Sequence, residues 1–228
     1  MPLPMVHLSV AKKLTDTGFP INDLSMFFLG SISPDAIHMR QGIEQQGIAR
    51  QSKMITHLLP LGKERADIEE SAYIKIVNEF IRANQCTTNQ IVVNRDFLLG
   101  YAVHVLTDVY WENSIWRKFK EEYEKSGVPI EGQRKAYYSD TDIIDYILYK
   151  EAPWQNNIWQ HLQNSKYFDF LDLLSAKEIE LWSERVLNFY DSPENQYKFK
   201  GESKFITQSD IESFVSVCVD AMGKDVVV

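Results

Sequence analysis

A histidine and an aspartate four residues apart, His104 and Asp108, have the types and spacing to do chemistry together. They lie in an apolar run, residues 97–108, that contains no proline and is predicted to be a helix. Residues four apart on a helix project from the same face, so the imidazole and the carboxylate should point together. A neutral imidazole and a carboxylate presented in this way make half of a metal site. The alternative is a buried histidine that is simply hydrogen-bonded to an aspartate.

Further metal-ligating residues occur earlier in the chain, in separate segments. His7 and His57 lie, like His104, at the start or in the middle of short apolar segments, and Asp35 follows Pro34 on a predicted turn. The predicted ligand set is therefore His7, Asp35, His57, His104 and Asp108. Imidazole and carboxylate ligands suit zinc, and also iron, manganese or nickel. Taken singly, each of these side chains has an ordinary structural alternative, such as a turn-capping aspartate or an exposed histidine.

Ligands from separate segments converge only on a packed scaffold, and the hydrophobic spacing indicates that this scaffold is helical. Asp140-Thr141-Asp142 is predicted to cap one helix, and the pairs Ser175/Glu178 and Ser209/Glu212 are predicted capping boxes. We expect a single all-α domain over residues 1–228, with the metal site in 1–145 and the helices of 146–228 packed on it. Helices are predicted over residues 8–14, 24–30, 64–84, 94–111, 116–123, 140–149, 156–162, 168–174, 176–190 and 210–222.

Composition narrows the class of protein. The chain has 228 residues and a net charge of −8, which argues against binding to duplex nucleic acid through phosphate contacts. Cys86 and Cys218 are far apart and lack a C-x-x-C spacing, so they are expected to be reduced and intracellular. There is no secretory signal pattern and no apolar stretch of about 20 residues, so we expect a cytoplasmic protein without stable membrane insertion. The oligomeric state is left open.

Several catalytic motifs are absent from the sequence. There is no H-E-x-x-H, no G-x-x-x-x-G-K phosphate loop and no G-x-S-x-G nucleophile elbow. The adjacent His-Asp dipeptide that marks one class of helical phosphohydrolases is also missing. These absences leave the histidine and aspartate set as the best-supported chemistry.

The order of these residues resembles the zinc-dependent phospholipase C family, whose all-helical fold is shared with the fungal single-strand-specific nucleases. The similarity covers roughly residues 5–145. Its most specific part is the G-x-x-x-H-x-x-x-D pattern from Gly100 to Asp108. The resemblance implies that Asp35, His57, His104 and Asp108 hold one metal ion. It also implies that Asp108 bridges to a second ion bound by His7, and that Asp35 is the catalytic base.

The same resemblance implies a metal-dependent hydrolase of phosphate esters that uses a metal-bound water. We expect a phosphodiester such as a phospholipid headgroup, although a small phosphoester is also open. Residues 109–114 contain no histidine, and Tyr138 with Asp142 stands where the family has H-x-x-x-E. One or two ions, Zn²⁺ or another divalent transition metal, are therefore expected rather than three. The alternatives are a helical metal-binding or interaction protein of the same fold that has lost catalysis, and a structural histidine set without metal.

Other polar and aromatic residues receive structural interpretations. His38 is predicted to lie at the surface, with orientation of a ligand as the alternative, and His161 is predicted to be structural or exposed. Asp142 and Asp145 are expected to be carboxylates near a helix N-terminus. An aromatic group is expected to belong to the core rather than to a substrate platform: Tyr110, Trp111, Trp116, Tyr137 and Tyr138.

Overall fold

The computed structural model describes residues 3–42, 53–60, 62–63, 65–85 and 93–226. These ranges contain no β-strand, only an isolated antiparallel bridge between Phe170 and Leu174, so the predicted all-α fold class is confirmed. Short segments of 3₁₀ or π helix join several of the helices, and residues 53–56 form a further helical turn. The longer helices are α1 (Pro4–Asp16), α2 (Leu24–Ile32), α3 (Glu70–Gln85), α4 (Arg95–Trp111), α5 (Arg117–Lys125), α6 (Gln133–Glu151), α7 (Gln155–Gln163), α8 (Ala176–Phe189) and α9 (Gln208–Asp225).

Two predictions of secondary structure are wrong: the start of one helix and the existence of another. The expected cap at 140–142 lies inside α6, and the Asp140 carboxylate instead accepts backbone N–H groups from Lys204, Phe205 and Ile206. The expected helix over 168–174 is a turn, closed by a 2.8 Å hydrogen bond from the Phe170 N–H to the carbonyl of Leu174. Its apolar side chains reach the core without a helix, so their spacing was misleading.

One of the two predicted capping boxes is present, and the other lies at different residues. The Ser175/Glu178 box is present at the start of α8, as predicted. The box of α9 is Thr207/Asp210 rather than Ser209/Glu212, because α9 begins at Gln208, two residues earlier than expected. Both pairs have the spacing of a capping box, and the hydrophobic pattern alone does not choose between them.

Helix α4 is the central element of the fold. Residues 96–111 are all buried, which is the pattern of a helix surrounded by other helices rather than one lying on a surface. Asn94 caps its start by accepting hydrogen bonds of 3.0 Å from the backbone N–H groups of Asp96 and Phe97. Helices α1, α2, α3 and α9 pack directly against it.

Two glycines allow α2 and α4 to cross very closely. A Cβ atom added to Gly30 would lie 2.2 Å from the carbonyl oxygen of Phe97, and one added to Gly100 would lie 2.1 Å from that of Phe27. No larger residue fits at either position unless the helices separate. The crossing brings the end of α2, and the segment that follows it, against the middle of α4.

The hydrophobic core contains buried residues from α1 through Val226, so helices on both sides of position 145 contribute to it. The prediction that the whole chain is one domain stays a prediction. In the described part of the chain, no helix is both long enough and apolar enough to cross a membrane. Cys218 is a buried free thiol, whereas Cys86 and the polar stretch at 43–52 lie outside the described residues.

Candidate metal centre

His7 is placed by the first helix. Pro4 opens α1, and the carboxylate of Asp145 on α6 accepts the backbone N–H groups of Met5 and Val6 at 3.1 and 3.3 Å. These contacts fix the first turn of α1 against α6, and His7 follows directly after Val6 with 1% of its surface exposed. Asp145 is therefore an interior residue of α6 that anchors α1, not the carboxylate at its own helix start that we predicted.

Asp35 lies in a tight 3₁₀ segment, Ser33–Met39, that continues directly from α2. Pro34 lacks an N–H group and cannot extend the α-helical hydrogen bonding, which accounts for the change of helix type. The segment packs against α8, where Arg40 forms a salt bridge with Glu178 at 2.6 Å. Asp35 is 7% exposed, so its carboxylate faces inward rather than standing free on a turn.

His57 is held by two tyrosine hydroxyls from neighbouring helices. Tyr73 of α3 donates to the carbonyl of His57, and Tyr101 of α4 donates to the carbonyl of Thr56. Leu58 then adopts a left-handed backbone conformation with φ of 56°, just after the helical turn of residues 53–56 ends. The imidazole is 2% exposed.

His104 and Asp108 project from one face of α4, as their spacing predicts, and both are 1% exposed. The Nδ1 atom of His104 lies 2.8 Å from the carbonyl oxygen of Ser31, and that of His57 lies 3.0 Å from the carbonyl oxygen of Lys53. A carbonyl accepts but cannot donate, so each Nδ1 carries the proton and each Nε2 presents a lone pair. Metal-binding histidines are oriented in this way.

The five predicted ligands converge. His7 Nε2 lies 3.6 Å from Asp108 Oδ1, and His57 Nε2 lies 3.5 Å from both Asp35 Oδ1 and Asp108 Oδ2. His104 Nε2 lies 3.9 Å from Asp35 Oδ2, and its ring stacks on that of His7 at 3.7 Å. Ligands bound to one tetrahedral zinc ion at about 2.0–2.1 Å are about 3.3–3.4 Å apart. The observed spacings are close to that value.

Two groups of three ligand atoms each lie within 4.8 Å of one another, namely His7, Asp35 and His104, and His57, His104 and Asp108. Both nitrogens of His7, Nε2 of His57 and His104, and Oδ1 of Asp108 are buried without a hydrogen-bond partner in the described ranges. A buried polar atom left unpaired costs about 1–3 kcal/mol, so such a concentration of them requires an explanation. A divalent cation fits these residues because it would bind to several unpaired atoms at once.

His7 and His57 are in the charge state that metal binding requires. Burial lowers the pKa of His57 to about 4, although the nearby Asp35 carboxylate opposes the shift. Burial, and the nearby His104, also lower the pKa of His7 well below its usual value. Both imidazoles are therefore neutral at neutral pH and need lose no proton to bind a cation.

Two cationic residues that sequence reasoning missed contact the carboxylates. Lys53 Nζ lies 2.8 Å from Asp35 Oδ1, and Arg65 Nη2 lies 3.0 Å from Asp108 Oδ2. Burial by itself would raise the pKa of each carboxyl group, but Lys53 at Asp35 and Arg65 at Asp108, together with the neighbouring histidines, outweigh it and hold both pKa values below their usual range. Lys53 stands four residues before His57, a helical spacing that could have drawn attention to it; Arg65 carries no such signal.

The other residues singled out from the sequence lie outside the ligand set. His38 is largely exposed, as predicted, with Nε2 3.7 Å from Asp35 Oδ1 and 3.2 Å from Lys53. His161 forms a 2.9 Å hydrogen bond with Ser25 at a separate place. Asp142 lies within α6 rather than at a helix N-terminus. Tyr110, Trp111, Trp116 and Tyr137 belong to or pack against the core, as predicted, whereas Tyr138 is 46% exposed.

No family model, curated protein or solved structure matches this chain. The function proposed below therefore rests on the geometry of the cluster and on the motif resemblance described above.

Proposed function

We propose that this chain is a metal-dependent hydrolase of phosphate esters, similar to the zinc-dependent phospholipases C. The observation that carries the proposal is the convergence of five buried ligands from four separate segments, with unpaired nitrogen and oxygen atoms facing one another. Three imidazoles and two carboxylates form a donor set that suits Zn²⁺ best, with another divalent transition metal as the alternative. We propose one or two ions.

Each ligand would have a distinct place. By the resemblance, Asp35, His57, His104 and Asp108 would hold one ion, and His7 with Asp108 would hold a second if two are bound. The 3.6 Å between His7 Nε2 and Asp108 Oδ1 agrees with a shared role for Asp108. When bound, the cation supplies Lewis acidity that polarises phosphoryl oxygens and lowers the pKa of water.

The chain's own residues then have two tasks. The carbonyl groups of Ser31 and Lys53 fix the imidazoles of His104 and His57, so the cluster is preorganised. Asp35 would orient the attacking water by accepting one of its hydrogen bonds. Its lowered pKa makes it a weak proton acceptor, so we propose an orienting role in preference to the full general-base role expected from the resemblance.

Hydrolysis assays with and without metal test this proposal. The purified protein, stripped with a chelator and reloaded with Zn²⁺, should hydrolyse a chromogenic phosphodiester or phosphomonoester, and His104→Ala should abolish that rate. His161→Ala is the matched control because His161 lies outside the cluster. A zinc-loaded protein that hydrolyses neither class would favour the alternative of a metal-binding protein without catalysis. A rate that survives His104→Ala would contradict the proposal.

A further inference from the structure

Two positively charged side chains contact the metal cluster and are more exposed than its carboxylates. The side chains of Lys53 and Arg65 are 22% and 17% exposed, whereas the side chain of Asp35 is 10% exposed and that of Asp108 is fully buried. A molecule approaching from solvent therefore meets an ammonium and a guanidinium group before it meets the ligand atoms. His38, 3.2 Å from Lys53 Nζ, stands beside them and is more exposed than either.

These cations already balance the charge of the carboxylates. Lys53 Nζ pairs with Asp35 at 2.8 Å, and Arg65 Nη2 pairs with Asp108 at 3.0 Å. Glu112, four residues after Asp108, also raises the pKa of Arg65, though less than Asp108 does. A divalent cation bound by this cluster would therefore bring two positive charges, of which Glu112 offsets at most one. Uncompensated charge in a buried site is costly, so an anion must accompany the cation.

The charge of that anion defines the substrate class. A phosphodiester group carries one negative charge, whereas a terminal phosphate carries close to two at neutral pH. We propose that Lys53 and Arg65 bind the phosphoryl oxygens of the substrate, and that the substrate is an ester with a terminal, dianionic phosphate rather than a diester. This inference rests on the proposed function and replaces the phosphodiester expected from the resemblance.

The geometry of both side chains suits this role. Lys53 Nζ and Arg65 Nη2 contact carboxylate oxygens that each lie 3.5 Å from His57 Nε2, so both donors are close to the ligand atoms. Lysine has further donors for a second acceptor, and the Nε–H of Arg65 is buried without a partner in the described ranges. Arginine also has the planar donor pair that matches phosphate oxygens.

Phosphate binding to the zinc-loaded protein tests the inference apart from activity. We would measure zinc content by mass spectrometry and the Kd of inorganic phosphate by calorimetry for the wild type, Lys53→Met and Arg65→Met. Each variant should keep its zinc and bind phosphate about tenfold to a hundredfold more weakly, as expected for loss of a charged hydrogen bond. Lys63→Met, at an exposed lysine between the two in sequence, is the control and should match the wild type. Arg65→Lys, which keeps the charge, serves if Arg65→Met does not fold.

Hydrolysis rates on a phosphomonoester and a phosphodiester test the substrate class, which the binding of free phosphate does not. The wild type should have a higher kcat/KM for p-nitrophenyl phosphate than for bis(p-nitrophenyl) phosphate, and Lys53→Met should reduce that ratio. Variants that keep zinc and bind phosphate within about twofold of the wild type would overturn the inference while leaving the proposed function intact. A wild type that prefers the diester would overturn the substrate class. A wild type that binds no metal would overturn both this inference and the proposed function.

Discussion

The Nδ1 atom of His104 lies 2.8 Å from the carbonyl oxygen of Ser31, and this hydrogen bond joins the central helix to α2 inside the metal cluster. The contact exists because Gly30 and Gly100 have no side chains, which lets the backbones of the two helices approach each other closely where they cross. The glycine one turn before His104 is therefore part of the mechanism that orients the histidine. A substitution that disturbs this crossing should therefore lower both the free energy of unfolding and the affinity for metal.

Gly100→Ala tests the crossing. The added methyl group would lie 2.1 Å from the carbonyl oxygen of Phe27, which is backbone and cannot rotate away. We expect the free energy of unfolding to fall by about 1–3 kcal/mol or more, as in overpacked cores, and zinc affinity to fall with it. Urea denaturation and zinc titration measure the two effects.

Gly223→Ala is the matched control for that variant. Gly223 lies in α9, and a Cβ atom there would meet nothing within 4 Å. Alanine should be neutral or stabilise the helix by about 0.5–1 kcal/mol, without any effect on zinc. Equal effects of the two substitutions would contradict the account of the close crossing.

The tyrosine hydroxyls that hold the His57 segment give a second prediction. Tyr73→Phe and Tyr101→Phe each remove one hydrogen bond to a backbone carbonyl of residues 56 and 57. Each should lower the free energy of unfolding by about 1 kcal/mol and weaken zinc binding, because His57 loses part of its support. Urea denaturation in a chelator, followed by zinc titration, separates the two quantities.

Tyr123→Phe distinguishes support of the site from general stability. Its hydroxyl donates to the carbonyl of Pro129 at 2.8 Å, a similar bond away from the cluster. The variant should lose comparable stability and keep the zinc affinity of the wild type. If all three variants affect zinc equally, Tyr73 and Tyr101 have no special role.

Asp145 predicts an unusual pH dependence of stability. Burial raises the pKa of its carboxyl group to about 7, against hydrogen bonds from Tyr190, Val6 and Met5 that lower it. The folded protein then binds more protons than the unfolded chain between about pH 4 and 7. The stability that this group contributes is complete below about pH 4 and is lost as the pH rises through 7, by up to about 4 kcal/mol.

Comparison with Asp145→Asn isolates this contribution, because asparagine keeps the shape but does not titrate. The wild type should lose stability relative to the variant as the pH rises from 4 to 7, in urea denaturation with a chelator present. A difference that is constant, or that grows in favour of the wild type, would show that Asp145 is ionised throughout. Carbon NMR titration of the carboxyl group answers the same question if the variant does not fold.

The sequence predicted correctly those features of the fold and the site that depend on residues close together in the chain. Four predicted features follow from short-range rules: the all-α class, the span of α4, the Ser175/Glu178 box and the shared face of His104 and Asp108. The spatial convergence of His7, Asp35 and His57 on that face depended on the resemblance as well as on residue type. The structure brings all five predicted ligands together.

Long-range pairings were not predictable in the same way. Nothing in the local pattern indicates that Arg65 reaches Asp108 or that Asp145 anchors α1, because both contacts depend on how distant segments pack. The predicted helix over 168–174 was wrong for a related reason. Apolar spacing indicates which residues are buried, but not the backbone conformation that buries them.

Metal content of the purified protein tests the central claim most directly. Elemental analysis after zinc loading and desalting should give one or two zinc ions per chain for the wild type and for His161→Ala. His104→Ala should retain much less, because both groups of ligand atoms described above lose a member, and Asp108→Asn should also retain less, because one of the groups loses its carboxylate. Wild-type protein without stoichiometric metal, or full metal content in both cluster variants, would contradict the metal centre.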